Sequence, residues 1–212
     1  MLGPDAHRMR LLLELRQLGV TDSRILAAIE RTPRGGFVPE HLSALSWEDQ
    51  ALPLEGGQSL TKPSDAARML SALGCREGDI VLEVGTGSGW QAAVLSRLAK
   101  DVVTLERRIS LARAAHERLA KMALPNVAVE LADGALGWPM RGPYDRIIVN
   151  VAIHTAKPLL LEQLKPGGLL VAPVGAGEQQ VLTRVRVGED MTTVVETLGP
   201  LRFQAIEVGL AP

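Results

Sequence analysis

With 212 residues, 46% of them hydrophobic and 22% charged, the chain can bury one sizeable core, and its single cysteine, Cys75, excludes an internal disulfide framework and a cysteine-rich zinc site. Twenty-three basic against 24 acidic residues leave a net charge of -1, so no broad electrostatic footprint for nucleic acid is expected. The first ten residues carry charges and lack an apolar signal core, and no window approaches ~18 uncharged apolar residues, so the expectation is a cytoplasmic protein without membrane association.

Two helical patterns open the chain: Met9, Leu12, Leu13, Leu15 and Leu18, then Ile25, Leu26 and Ile29 after a cap at Thr21 or Asp22. They read as an amphipathic pair. Thr32-Pro33-Arg34-Gly35-Gly36 breaks the pattern, and Phe37-Val38-Pro39 opens an irregular segment that reaches Pro53 and Gly56-Gly57. Its apolar anchors, among them Phe37, Leu42, Trp47, Leu52 and Leu54, imply that it packs against the domain near the active site.

From Pro63 the pattern alternates: helix near 63–73, strand 80–84, helix 88–99, strand 102–105, helix 109–122, strands 126–131 and 146–151, helix 157–164, strand 168–173. Such alternation predicts a mainly parallel sheet covered by helices on both faces. After Gly175-Ala176-Gly177 the period falls to two, with Val181, Thr183, Val185 and Val187, then Thr193, Val195 and Thr197, which predicts an antiparallel hairpin. A last run, Leu201 to Val208, is placed to close the sheet edge. No repeat or linker divides the chain. The expectation is one domain, with residues 1–62 as a helical and irregular extension covering the site and 63–212 as the α/β core.

The chemistry centres on Leu82-Glu83-Val84-Gly85-Thr86-Gly87-Ser88-Gly89-Trp90-Gln91, an apolar strand that breaks into a glycine loop and then a helix. In a doubly wound sheet that turn lets backbone approach a nucleotide cofactor. The glycines fall as G-x-G-x-G, not the G-x-G-x-x-G of the dinucleotide fingerprint. Glu83, two residues before the loop, would repel a pyrophosphate but suits a ligand with an ammonium and a sulfonium. S-adenosylmethionine is therefore the expected cofactor. Glu106, ending the next apolar run, could take both ribose hydroxyls.

The chain resembles the protein-L-isoaspartate (D-aspartate) O-methyltransferases over about residues 8–203. The resemblance rests on Phe37-Val38-Pro39; on Leu52-Pro53-Leu54 followed by Gly57-Gln58-Ser59-Leu60-Thr61-Lys62-Pro63; on the Leu82–Gln91 stretch and its continuation to Leu95; on Ala132-Asp133-Gly134; and on Gln163-Leu164-Lys165-Pro166-Gly167-Gly168 leading to Ala172-Pro173-Val174-Gly175. It implies a Rossmann-like, doubly wound α/β fold with a seven-stranded sheet, N-terminal helices and a C-terminal hairpin. It further implies methyl transfer to the free carboxylate of L-isoaspartyl, and by extension D-aspartyl, residues of damaged proteins.

Carried over by position, the resemblance has Gly85, Thr86, Gly87, Ser88 and Gly89 hold the methionine end of the cofactor, with Glu83 alongside. Glu106 takes the ribose, and Asp133 with Gly134 lies beside the adenine, an Asp-Gly turn being the alternative for that pair. Thr61 falls where a serine hydroxyl usually meets the substrate carboxyl; capping a helix before Pro63 is its alternative role. Ser59, Leu60, Lys62, Asn150 and Val151 fall at the substrate. Trp90 stands where tyrosine is common, which would keep an aromatic platform beside the cofactor, and Trp47 falls in the irregular segment that could line the substrate groove; for each the role of core anchor is the favoured alternative. The working unit is expected to be a monomer, with isoaspartyl peptides and proteins as its partners and no nucleic acid, membrane or metal.

A carboxylate nucleophile is ionised at neutral pH, its unperturbed pKa being roughly 3 to 4, so the transfer needs alignment and exclusion of water but no general base. His154, just past the strand 146–151, is accordingly read as structural or solvated. Three departures from the family pattern bear on the substrate: Thr61 for serine; Lys62 for a neutral residue, which either attracts the carboxylate or reduces its nucleophilicity; and Phe203-Gln204-Ala205-Ile206 for Phe-Val-Pro-Leu. They leave open a methyltransferase for another carboxylate or small molecule, and a cofactor-binding relative without turnover.

Overall fold

The computed structural model describes residues 4–212. The chain opens with helices α1 (Pro4–Gln17) and α2 (Ser23–Glu30). Asp22 starts α2 by accepting from the amide of Arg24 at 2.8 Å, and Ile25, Leu26, Ala28 and Ile29 face inward. In α1 the buried pair is Leu11 and Leu15, while Met9, Leu13 and Leu18 of the expected stripe are exposed. The run of leucines offers two apolar stripes at i, i+4 spacing, and only packing against α2 and α3 selects between them.

An irregular segment follows, with a two-residue ribbon of β1 (Leu52–Pro53) against β2 (Ser59–Leu60). Helix α3 (Pro63–Leu73) then begins on Pro63 and ends on Gly74, whose φ of +57° closes the helix in the left-handed conformation. Beyond it come β3 (Ile80–Val84), α4 (Trp90–Leu95), β4 (Asp101–Glu106), α5 (Ile109–Lys121), β5 (Val127–Leu131), β6 (Tyr144–Val149), α6 (Pro158–Leu161), β7 (Leu164–Val174), β8 (Val181–Val187) and β9 (Thr193–Pro200).

Strands β3 to β9 form one sheet in the order β5-β4-β3-β6-β7-β8-β9, parallel from β5 to β7 and antiparallel through β8 and β9. Alternation along the central strands feeds two apolar clusters. Val81, Val102, Ile148 and Val171 pack with α1 to α4 on one face, and Leu82, Val103, Ile147 and Leu170 pack with Leu160 of α6 on the other. The expected doubly wound fold is therefore present. Because β3 pairs with β4 on one side and β6 on the other, the loops leaving β3 and β6 diverge and open a crevice at the carboxyl edge.

Several expected elements differ: β6 spans 144–149 and not 146–151, β7 begins at 164 and not 168, and three further differences have identifiable causes. Helix α4 stops at Leu95 instead of 99, and the Asn126 side-chain amide takes the carbonyls of Ser96 and Ala99 just beyond it. Helix α6 is a single turn, because Gln163 draws on the Leu159 carbonyl and the chain enters β7 at Leu164, opposite Tyr144. Leu201 to Val208 adds no strand to the sheet; β9 is the edge. The C-terminal residues instead cross the carboxyl ends of the parallel strands, touching down as single bridges at Ala152–Ala205 and Arg108–Ala211.

Cys75 is buried, which pushes its thiol up to about 12, and no helix among the described residues is long and apolar enough to cross a membrane. A Cβ added at Gly134, in the turn after β5, would run into the side chain of Val84 at the end of β3. Gly134→Ala should therefore lower stability by ~1–3 kcal/mol in urea denaturation. Val84→Ala in the same chain should cost less than in the parent; strictly additive losses would show that the collision is relieved elsewhere.

Candidate active site

A cavity of about 750 Å³ opens at the carboxyl ends of β3, β4 and β6. Its floor is the loop after β3. Gly85, Gly87 and Gly89 have φ of +93°, +54° and +88°, conformations that L side chains resist. The amides of Gly85 and Thr86 both donate to the Leu105 carbonyl, at 2.9 and 3.1 Å, and that of Gly87 donates to Glu106 Oε2 at 2.9 Å. Gly85, Thr86, Gly87 and Ser88 line the cavity, the two glycines without a side chain to narrow it. Gly89 lies outside the lining: it starts α4, and a Cβ there would press on Ala115 and Leu119 of α5, so its smallness serves helix packing.

The two acids of this region behave differently. Glu106 lines the cavity, its Oε1 accepting from the Arg108 amide at 3.0 Å while Oε2 holds Gly87, so each oxygen keeps acceptor capacity for a ligand. Glu83 corrects the expectation of direct contact with a cationic ligand. It is fully buried behind the loop and absent from the lining, with Oε2 bonded to Thr104 Oγ1 at 2.6 Å and Oε1 to Asn150 Nδ2 at 2.9 Å. Thr104 meets Thr86 Oγ1 at 2.7 Å, which continues the network into the loop. Burial raises the Glu83 carboxyl to about 8, against the lowering effect of its hydrogen bonds. Asn150 lines the cavity, donating also to the Gly85 carbonyl at 3.2 Å and accepting from Gln91 Nε2 at 2.7 Å.

The opposite wall comes from residues 56–62 and 202–207. Ser59, Leu60, Thr61 and Lys62 all line the cavity, as does Val151. Thr61 does not cap α3: Asp49 Oδ1 accepts the Ser64 amide at 2.7 Å, and the Thr61 hydroxyl has no partner among the described residues. Its carbonyl accepts from Arg34 Nη2 at 3.0 Å. Lys62 sits 3.7 Å from Asp65, which Arg68 also approaches at 3.7 Å. Gln204 donates to the Gly57 carbonyl at 2.8 Å and ties the C-terminal segment to this wall.

Gly134 lines the cavity but Asp133 does not. Asp133 takes the Asp-Gly turn role instead, one oxygen capping Ala135 at 2.9 Å and the other accepting from Gly209 at 2.7 Å. Trp90 is buried, its indole N–H on the Thr32 carbonyl at 2.8 Å, and it also lines the cavity, so it is both a core strut and part of the cavity wall; Trp47 packs on the core outside the cavity. His154 is exposed and stands apart from it. The sequence reading missed Gln91, Arg107, Arg108 and Glu207. The two arginines directly follow Glu106, and Gln91 follows the loop by two residues, so adjacency was the available signal; Glu207 had none. No group of three or more His, Cys, Asp or Glu that could hold a metal ion occurs among the described residues.

The profile of the Protein-L-isoaspartate(D-aspartate) O-methyltransferase (PCMT) family matches residues 6–209. A protein-L-isoaspartate O-methyltransferase of Ruegeria pomeroyi is 45% identical over 212 residues, covering 99% of this chain and 98% of its own; that of Maricaulis maris is 45% identical over 190 residues, 89% of each. A solved protein-L-isoaspartate O-methyltransferase superposes with a TM-score of 0.83 at 27% identity, covering 96% of this chain and 67% of that one. A further solved structure, from Plasmodium falciparum in complex with S-adenosyl-L-homocysteine, shares the fold with a TM-score of 0.80 at 19% identity, covering 95% and 98%.

The buried Glu83 has a measurable consequence. Its carboxyl ionises near 4.5 when unfolded and near 8 when folded, so between those values the folded state holds the extra proton. Its contribution to stability is complete below the unfolded value and declines at roughly 1.4 kcal/mol per pH unit as pH rises towards the folded one. Glu83→Gln keeps an acceptor for Asn150 and a donor for Thr104. The parent should therefore lose stability relative to this variant from pH 5 to 8 in urea denaturation, and a constant difference would mean that Glu83 is ionised in the folded protein.

Proposed function

The chain belongs to the protein-L-isoaspartate (D-aspartate) O-methyltransferase family, and from that premise we infer that its cavity aligns S-adenosylmethionine with the free carboxylate of an L-isoaspartyl residue for methyl transfer. The residues fit such a cofactor. A glycine floor leaves room for close approach, Glu106 keeps acceptor capacity for ribose hydroxyls, and Gly134 adds a lining position without a side chain. When bound, S-adenosylmethionine supplies an electrophilic methyl group on a sulfonium.

The rest of the work falls to the chain. We assign Gly85 to Ser88 and Glu106 to the cofactor side, and Ser59, Leu60, Thr61, Lys62, Asn150 and Val151 to the substrate side, all of them around one cavity. Glu83 acts from behind, holding Asn150 and, through Thr104, Thr86 in place. The substrate carboxylate arrives ionised, so no proton has to be removed; the task is to hold one oxygen in line with the methyl group and exclude water. One observation carries this reading: the Thr61 hydroxyl is free, because Asp49 caps α3 in its stead. A hydroxyl can orient a carboxylate by a single hydrogen bond without neutralising it.

Methyl incorporation from S-adenosylmethionine into an isoaspartyl peptide, with its aspartyl twin as control, tests the activity directly. Thr61→Val keeps the shape and deletes the hydroxyl, and should lower kcat/KM for the isoaspartyl peptide by roughly 1.5–3 kcal/mol while leaving S-adenosylhomocysteine affinity unchanged. Thr61→Ser should retain most activity. A Val variant as active as the parent would remove Thr61 from the catalytic role.

A further inference from the structure

Arg34 is the most deeply buried arginine among the described residues, with 1% of its surface exposed, and no carboxylate there pairs with it within 4 Å. Backbone holds the two terminal nitrogens of its guanidinium: Nη1 donates to the carbonyls of Ser46 and Glu48 at 3.2 and 3.1 Å, and Nη2 to those of Gln50 and Thr61 at 3.1 and 3.0 Å, while the buried Nε has no partner among the described residues. Its flat face lies 5.4 Å from the centre of the Trp90 ring. Trp90 is in turn fixed to the Thr32 carbonyl and is the first residue of α4, directly after the glycine loop. A rigid path therefore runs from the loop through Trp90 and Arg34 to the backbone of Thr61.

We propose that Arg34 is a positioning residue for methyl transfer, aiming the Thr61 hydroxyl by pinning the Thr61 carbonyl to the strut at the head of α4. The proposal rests on the function inferred above. Its physical basis is that a β-branched side chain has few rotamers, so where the Thr61 hydroxyl points follows from where its backbone is held. On one side that backbone continues the β1–β2 ribbon, and on the other it meets Arg34. Lysine cannot replace the arrangement: an ammonium lacks the planar fork that serves four carbonyls and the face that lies over the indole.

The test is a double-mutant cycle on kcat with an isoaspartyl peptide, using the whole chain. Arg34→Lys should lower kcat roughly ten- to hundredfold in the parent, a cost typical of small misplacements, with S-adenosylhomocysteine affinity within about twofold. In the Thr61→Val background the same substitution should change kcat by less than about twofold, because the group it aims is gone. Arg34→Gln, uncharged and with only one amide nitrogen to donate, should show the same dependence on Thr61 and serves if Arg34→Lys does not fold. Losses that add in the Thr61→Val background, or that fall equally on cofactor affinity, overturn the proposal. A parent that methylates no isoaspartyl peptide overturns the functional reading itself, and the positioning role with it.

Discussion

The manner in which the chain leaves β3 constrains everything at the carboxyl edge. Three positive φ values in five residues turn the backbone away from the sheet, while the amides of Gly85, Thr86 and Gly87 remain tied to the end of β4 through Leu105 and Glu106. The turn can be this tight only because no Cβ opposes it at residues 85, 87 and 89. Its consequences reach outward. Glu83 is sealed behind the loop, Asn150, just past the end of β6, is drawn onto the Gly85 carbonyl, and α4 starts from Gly89 with Trp90 already buried.

The opposite wall solves a different problem. Residues 46–62 and 201–211 carry little regular structure, so their backbone groups need partners from outside a ladder. Side chains supply them: Arg34 for four carbonyls, Asp49 for the start of α3, Gln180 for both the amide and the carbonyl of Phe203, Gln204 for Gly57, and Arg107 for the carbonyls of Val208 and Gly209. Each bond joins positions far apart in the chain. A wall held this way is specified by particular polar residues, whereas the floor is specified by the absence of side chains.

That contrast accounts for what could be read in the sequence. The parallel strands, the hairpin and the glycine floor are local patterns, and they stand where the apolar runs and the G-x-G-x-G spacing put them. The lengths of α4 and α6 were misjudged because Asn126 and Gln163 reach their carbonyls from distant segments or compete within the turn. Glu83 was read as a ligand contact since an acid beside a cofactor loop invites it; only the three-dimensional arrangement reveals the Thr104 and Asn150 partners that make it an internal support. Similarly, the run from Leu201 alternates well enough for a strand. Its backbone instead pairs piecemeal with Ala152, Arg107 and Ile109, a route set by the ends of other strands.

The charges around the cavity bear on the nucleophile. Lys62 stood in the sequence as a cation beside Thr61 that would either draw in the substrate carboxylate or blunt it. In the fold Asp65 faces it at 3.7 Å, Glu207 engages Arg107 and Arg108, and Glu178 takes Arg202 at 2.7 Å. Each cation on the lining thus has an acid within 4 Å, although Arg107 and Arg108 share Glu207 and Lys62 shares Asp65 with Arg68. A tight, desolvated pair with lysine would hold a carboxylate strongly but lower the basicity of its oxygens; a cation already matched can attract at a distance without forming that pair. In the proposed reading close contact falls to the neutral hydroxyl of Thr61, and a nucleophile that needs no deprotonation gains more from such alignment than from a base.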